Sequence, residues 1–190
     1  MGGVLPFPLM HSVAKLAACL LLLAPLASAQ DSPGRRTPSV TLAPVPITAI
    51  TRGKPGTVEL QFRVSSGFHI NSNSPKSEFL IPTSLKLNAP TDIVVGKVTY
   101  PAGVDRSFPF APDEKISVYG GDFALAVVIR PLAHVVPGKY ALHGQLKYQA
   151  CDNAACYPPK QLPVDFEVKV EKAKVVVHKK NPAQSPHAHN

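Results

Sequence analysis

Apolar and polar residues alternate strictly over residues 57–64, whose sequence is TVELQFRV. On an extended chain, Val58, Leu60, Phe62 and Val64 fall on one side, and the charged and amide side chains between them fall on the other. This period of two is typical of an antiparallel strand with one buried face and one face in water. The apolar face needs a second layer to pack against, so the pattern predicts a layered β structure.

Short apolar segments bounded by turn residues recur along the chain. Eight of them are predicted as strands: residues 45–51, 57–64, 80–87, 94–100, 116–119, 123–129, 139–150 and 162–170. The polar residues 65–77 and the Pro-containing residues 101–112 are predicted as loops. The chain has 21 prolines and 12 glycines, which favours turns and short strands over long helices. We therefore expect an all-β sandwich.

Residues 1–29 have the pattern of a secretory signal peptide, with Lys15 in the basic region and Ala27-Ser28-Ala29 as a small-residue cleavage site. The apolar core at 16–26 is shorter than the about 20 residues that a membrane-spanning helix needs. The alternative is a lipoprotein signal around Cys19, although the apolar run continues past that residue. Cleavage after Ala29 removes Cys19 and leaves an even count of two cysteines in an exported protein, as an oxidising compartment favours.

Three further regions follow the signal. Residues 30–44 are predicted as a linker, residues 45–170 as the folded domain, and residues 171–190 as a disordered basic tail. The chain has a formal net charge of +8, and much of this excess lies in the tail. The domain has no arginine-rich stripe with interleaved aromatic residues, so we expect no nucleic-acid binding. We expect a monomer without stable membrane insertion after signal cleavage.

The candidate chemistry lies in Cys151 and Cys156, which four residues separate. Strands are predicted on both sides, so the pair is expected at the tip of a β-hairpin, and Pro158 and Pro159 stiffen the chain that leaves it. A disulfide closing so short a loop adds relatively little stability, and an exposed pair suits thiol–disulfide exchange. The spacing leaves open a structural disulfide in an exported binding module.

Residues 148–159 read YQACDNAACYPP and, with LPV at 162–164, resemble the active-site hairpin of the N-terminal periplasmic domain of the thiol:disulfide interchange protein DsbD. The likeness extends to GFHINSNSP at 67–75 and LIPT at 80–83. It implies an immunoglobulin-like β-sandwich over about residues 45–170. It also implies electron transfer between a membrane or thioredoxin-like donor and periplasmic redox proteins, which are the expected partners. The best-known members have one more residue between their cysteines than this chain.

The resemblance assigns the attacking role to Cys156 and the resolving role to Cys151, between which the residues themselves do not decide. It also implies an aromatic side chain that caps the cysteines. Phe108 and Phe110 are the candidates for this cap. The alternative is that these phenylalanines plug the end of the sandwich core.

Three more residues are candidates for the site. Tyr148 and Tyr157 flank the cysteine loop. His69 is either a base or ligand near the thiols, or a strand-end histidine that bonds to backbone groups.

No cofactor or metal is expected. Two cysteines supply half of a tetrahedral zinc site, and no paired-histidine motif supplies the rest. A copper site built from His69 and the cysteines lacks a Met-rich or paired-His ligand set. A solvated tail explains the remaining candidate ligands better than metal binding does: His178, His187 and His189.

Overall fold

The computed structural model describes residues 1–3 and 37–173, and this part of the chain contains strands and no helix. No helix long and apolar enough to cross a membrane is therefore present in it. Residues 4–29 of the predicted signal, including Cys19, lie outside the described residues. So do residues 174–190 of the tail, with their three histidines.

The described residues form twelve strands. They are β1 (Val40–Leu42), β2 (Thr48–Thr51), β3 (Gly56–Val64), β4 (His69–Asn71), β5 (Ser84–Asn88), β6 (Ile93–Thr99), β7 (Val104–Phe108), β8 (Ala111–Tyr119), β9 (Asp122–Pro131), β10 (Gly138–Tyr148), β11 (Ala150–Cys151) and β12 (Lys160–Glu171).

These strands make three four-stranded sheets, with the orders β1-β3-β9-β6, β2-β12-β10-β5 and β11-β4-β8-β7. One cluster of buried side chains includes Leu60 and Leu125 from the first sheet and Leu142 and Val168 from the second. The first two sheets therefore pack face to face around a shared core, which is the arrangement of an immunoglobulin-like β-sandwich. The predicted fold class is confirmed.

The alternation that predicted β3 corresponds to its packing. Val58, Leu60, Phe62 and Val64 are all buried in the main core, and the residues between them are exposed. β12 repeats this pattern from Val164 to Val170. Period-two hydrophobicity predicted these strands well because each has one face on the core and one in water.

The structure differs from the sequence prediction within residues 101–112, where β7 and the start of β8 form a hairpin from residue 104 onward rather than a loop. In β7 only Phe108 is buried, and the four residues before it are exposed. Such a strand lacks an apolar alternation, because backbone hydrogen bonds to β8 hold it rather than side-chain burial.

Other differences are smaller. Of the predicted strand 80–87, only residues from Ser84 onward are in a strand, and Pro82 lacks the N–H that a ladder needs. β1 lies within residues 30–44, the segment predicted as a linker, where prolines on both sides obscure its three-residue pattern. β4 lies within the predicted loop 65–77.

The third sheet carries the cysteine loop at one edge and the β7–β8 hairpin at the other. Ile70 of β4, Tyr119 of β8 and Ala150 beside Cys151 belong to the main core. A second, smaller cluster comprises Phe108, Ile116 and Val118, with Leu80 packed against it. This sheet therefore connects the cysteine loop to the sandwich core.

We predict that Leu125→Ala lowers the free energy of unfolding by about 2–5 kcal/mol, since Leu125 is fully buried between the two main sheets and truncation leaves a cavity. Val136→Ala, at a residue that is 72% exposed, should change it by less than about 0.5 kcal/mol. Urea unfolding of the oxidised protein measures both, and equal effects would contradict the proposed core.

Candidate redox site at the cysteine loop

Cys151 and Cys156 form a disulfide, with their Cα atoms 3.9 Å apart in an isolated antiparallel bridge. Their surroundings differ sharply. Cys151 is the last residue of β11 and is 1% exposed, because β11 pairs with β4 and turns this side chain inward. Cys156 follows the loop and is exposed. A partner therefore has direct access to Cys156 only.

Asp152 organises the loop between the cysteines. Its Oδ1 accepts hydrogen bonds from the backbone N–H groups of Ala154 at 2.8 Å and Ala155 at 2.9 Å, as in an Asx turn. Its own N–H donates to the Ala155 carbonyl at 3.0 Å. The Tyr157 hydroxyl donates to Asp152 Oδ2 at 2.7 Å. The loop is thus held by its own side chain as well as by the disulfide.

These hydrogen bonds also set the charge of the loop. The Tyr157 hydroxyl and the two backbone donors lower the pKa of Asp152 to about 2, so its carboxylate is ionised at neutral pH. Lys160 is the cation nearest to Cys156 along the chain, but its ammonium donates to the Pro38 carbonyl at 2.7 Å. An anion next to the cysteines disfavours ionisation of a thiol to the thiolate. The loop therefore does not activate its thiols electrostatically.

His69 lies directly opposite Cys151 in the ladder between β4 and β11. It is 4% exposed, and its ring stacks on Phe108 with centroids 4.1 Å apart and planes 14° apart. Burial, and secondarily the charge of Arg106, lowers the pKa of His69 to about 4. The imidazole is therefore neutral at pH 7, and it provides no positive charge to a thiolate.

The two candidate cap residues form a stack with this histidine. Phe108 is buried and stacks on Phe110 with centroids 5.3 Å apart, and Phe110 is 37% exposed. The aromatic stack thus lies over His69, the neighbour of the buried Cys151. Cys156 remains exposed in the disulfide form, so the phenylalanines do not enclose both cysteines.

The two candidate tyrosines occupy different places. Tyr148 is buried in the main core, where burial raises its pKa and the Val40 backbone N–H donates to its hydroxyl. It anchors β1 and does not reach the exposed face of the loop. Tyr157 is half-buried next to Cys156, and its ring makes an edge contact with Phe68 at 5.8 Å between centroids. Of the two, only Tyr157 contacts the cysteine loop, through its hydrogen bond to Asp152.

A polar link next to the loop is not predictable from the sequence. Gln149 Nε2 donates to the Tyr157 carbonyl at 3.3 Å, and Gln149 Oε1 accepts from Asn71 Nδ2 at 3.2 Å. Asn71 is fully buried and also donates to the Ile81 carbonyl at 3.0 Å. Both residues were part of the recognised motifs, but no local pattern indicates that they meet, because β4 and β11 are far apart along the chain.

An immunoglobulin-like sandwich with a disulfide-bonded loop at the edge of its third sheet defines a class of cysteine-pair β domains. The model of the family described as "Thiol:disulfide interchange protein DsbD, N-terminal" matches residues 40–167. The chain belongs to this family. A comparison with curated protein sequences found no match.

Solved structures show likenesses of low identity. The Neisseria meningitidis DsbD N-terminal domain in the reduced form is 22% identical, over 57% of this chain and 74% of that one, with a TM-score of 0.36. A complex of the DsbD and PilB N-terminal domains from the same organism is 24% identical, over 57% of this chain and 73% of that one, with a TM-score of 0.37. The N-terminal periplasmic domain of ScsB from Proteus mirabilis is 13% identical, over 67% of this chain and 44% of that one, with a TM-score of 0.44.

The lowered pKa of His69 predicts a pH dependence of stability. The unfolded chain takes up a proton at about pH 6.5, and the folded chain only at about pH 4, so folding becomes less favourable as pH falls between these values. Because each tenfold difference in proton affinity is about 1.4 kcal/mol, we expect a loss of up to about 3 kcal/mol.

Urea unfolding of the oxidised protein at pH 7, 5.5 and 4 measures this loss. His69→Gln should flatten the dependence across that window, since the lowered pKa of Asp152 acts only below about pH 4. The same pH slope in His69→Gln and in the wild type would disprove the assignment to His69.

Proposed function

We propose that this domain carries electrons by thiol–disulfide exchange through Cys151 and Cys156 in the periplasm. Membership of the DsbD N-terminal family supports the reaction class. The observation that carries the proposal is the asymmetry of the pair, in which Cys156 is exposed and Cys151 is buried. Exchange requires one sulfur that a partner can reach and a second that closes the ring afterwards.

The reaction proceeds in two balanced steps. In the dithiol form, the Cys156 thiolate attacks one sulfur of a partner disulfide, and the other partner sulfur leaves as a thiolate. Cys151, as a thiolate, then attacks the Cys156 sulfur, closes the intramolecular disulfide and releases the second partner sulfur. Two electrons pass to the partner, and the reverse sequence with a dithiol donor reloads the domain. This makes the domain a component of a protein-disulfide reductase system.

The hydrogen bonds of Asp152 restrain the cysteine loop, which favours rapid re-formation of the intramolecular disulfide. The bonds of Asp152 to Ala154, Ala155 and Tyr157 do not depend on the disulfide, so the loop conformation is supported when the bond opens. The two sulfurs then stay close, and the second step gains from proximity. No cofactor takes part in this scheme.

A purely structural disulfide is the competing function. This bridge joins residues five apart in sequence, and closing so short a loop stabilises a fold by about 2 kcal/mol, against about 3 for a 15-residue loop. Asp152 already restrains the same residues, which reduces the contribution further. The location of the bridge thus favours exchange over stabilisation.

The expected partners are a membrane or thioredoxin-like donor and periplasmic redox proteins. The anionic Asp152 and the neutral His69 leave the thiols only weakly activated, which suits a carrier that reacts within a specific complex. We assign the cap to Phe108 and Phe110, which would shield Cys151 through His69.

We predict that the Cys151–Cys156 pair has a reduction potential above about −300 mV, the level below which disulfides are typically structural. Equilibration with glutathione and dithiothreitol buffers, followed by alkylation of free thiols and mass spectrometry, measures it. A clearly lower potential would favour the structural bridge.

The roles of the two cysteines are tested by trapping. Cys151→Ala should accumulate a mixed disulfide through the exposed Cys156 when a thioredoxin-like partner is supplied, because no second sulfur is left to resolve it. Cys156→Ala should trap little, since Cys151 is buried. Non-reducing electrophoresis separates the products, and the double variant is the control.

The outcomes discriminate between the hypotheses. Trapping by Cys156→Ala alone would exchange the two roles and keep the function. An absence of trapping in both single variants would reject the carrier function.

A further inference from the structure

The buried imidazole of His69 has a ring nitrogen without a hydrogen-bond partner in the described part of the disulfide form. Nε2 is buried and has no hydrogen-bond partner among the described residues. Buried polar atoms are nearly always hydrogen-bonded, and an unpaired one at a functional site calls for an explanation. The ring is 4% exposed, so bulk water does not substitute for a protein partner.

The position of the ring indicates which atom that partner is. Cys151 and His69 are directly opposed in the antiparallel pairing of β11 with β4. Opposed residues project from the same face of a sheet, with Cβ atoms about 4.5–5.5 Å apart. Stacking on Phe108 at 4.1 Å restrains the ring in this place. The imidazole is thus confined beside the buried cysteine.

We infer that His69 Nε2–H donates a hydrogen bond to the Cys151 sulfur when the disulfide opens. This role rests on the proposed exchange function. A donor thiolate attacks the exposed Cys156 sulfur and forms a new S–S bond, while the Cys151–Cys156 bond breaks and Cys151 leaves with the electron pair. The resulting buried Cys151 thiolate is a strong acceptor, whereas a disulfide sulfur is a weak one.

The unpaired donor therefore costs free energy in the disulfide form and is satisfied in the open form. This difference favours opening and stabilises the leaving group, which speeds exchange. The imidazole acts as a neutral donor, because its burial and the charge of Arg106 keep its pKa low. The other charge acting on it, that of Asp152, is an anion that offers the thiolate no support.

The experiment compares redox equilibria of the full chain in glutathione buffers at pH 7. His69→Phe retains an aromatic ring against Phe108 and removes the N–H. We expect it to shift the equilibrium toward the disulfide about tenfold, which corresponds to a reduction potential lower by about 30 mV. We also expect opening by dithiothreitol, measured by rapid quenching, to slow about tenfold.

Two variants serve as controls. His69→Gln keeps an amide N–H donor and should restore the equilibrium to within about threefold of the wild type. His143→Phe makes the same change at an exposed position of β10 and should have no effect. A purely structural role for His69 would destabilise oxidised and reduced forms equally and leave the equilibrium unchanged. An equilibrium for His69→Phe within twofold of the wild type would overturn the inference.

The wild-type protein provides a test that no folding defect can affect. Nitrogen-15 NMR of the imidazole should show a proton on Nε2 in both redox states and a shift of that nitrogen on reduction. A bare Nε2, or an unchanged resonance, would contradict the inference. Failure of the Cys151→Ala variant to trap a partner would instead reject the exchange function, and the glutathione equilibrium would still report on His69.

Discussion

Two residues of β11 pair with β4, and this short ladder determines how the two sulfurs differ. It places Cys151 opposite His69 on the face of the sheet that points away from the main core, where both are buried. The chain leaves the ladder at Asp152 and brings Cys156 back on the exposed side. The ladder is stable because Ile70 and Ala150 on it belong to the main core. Burial of a few apolar side chains thus produces a chemical asymmetry in a disulfide that looks symmetric in the sequence.

The electrostatics of the site follow from the same burial. A histidine near a thiol ordinarily suggests a cation that activates it, but desolvation keeps His69 neutral. The ionised group at the loop is the carboxylate of Asp152, whose charge is stabilised by the Tyr157 hydroxyl and two backbone donors. The carboxylate disfavours a thiolate next to it, and the neutral imidazole adds no positive charge that would offset this effect. Under the proposed function, weakly activated thiols protect the reduced domain from reaction with unsuitable disulfides.

The third sheet contributes side chains to two hydrophobic clusters of very different size. On one side it shares the sandwich core, and on the other it has only the small cluster around Phe108, Ile116 and Val118. A hairpin held by few apolar contacts opens at lower cost than the main sheets do. Phe108, which stacks on His69, belongs to this small cluster, so under the proposed function access to Cys151 would depend on the β7–β8 hairpin.

The all-β class, most strand positions and the cysteine pair follow from local patterns in the sequence. Strict alternation over residues 57–64 reports a face that must be buried, and the cysteine spacing with Pro158 and Pro159 is local information. Long-range strand pairing, which the sequence does not reveal, buries Cys151, brings Gln149 to Asn71 and keeps His69 neutral beside Cys151. Residues 104–108 also form a strand that the sequence does not predict, since an exposed strand held by backbone hydrogen bonds carries no hydrophobic signal. These features arise from pairing between segments distant along the chain, where one strand's register sets the burial and protonation of another's side chains.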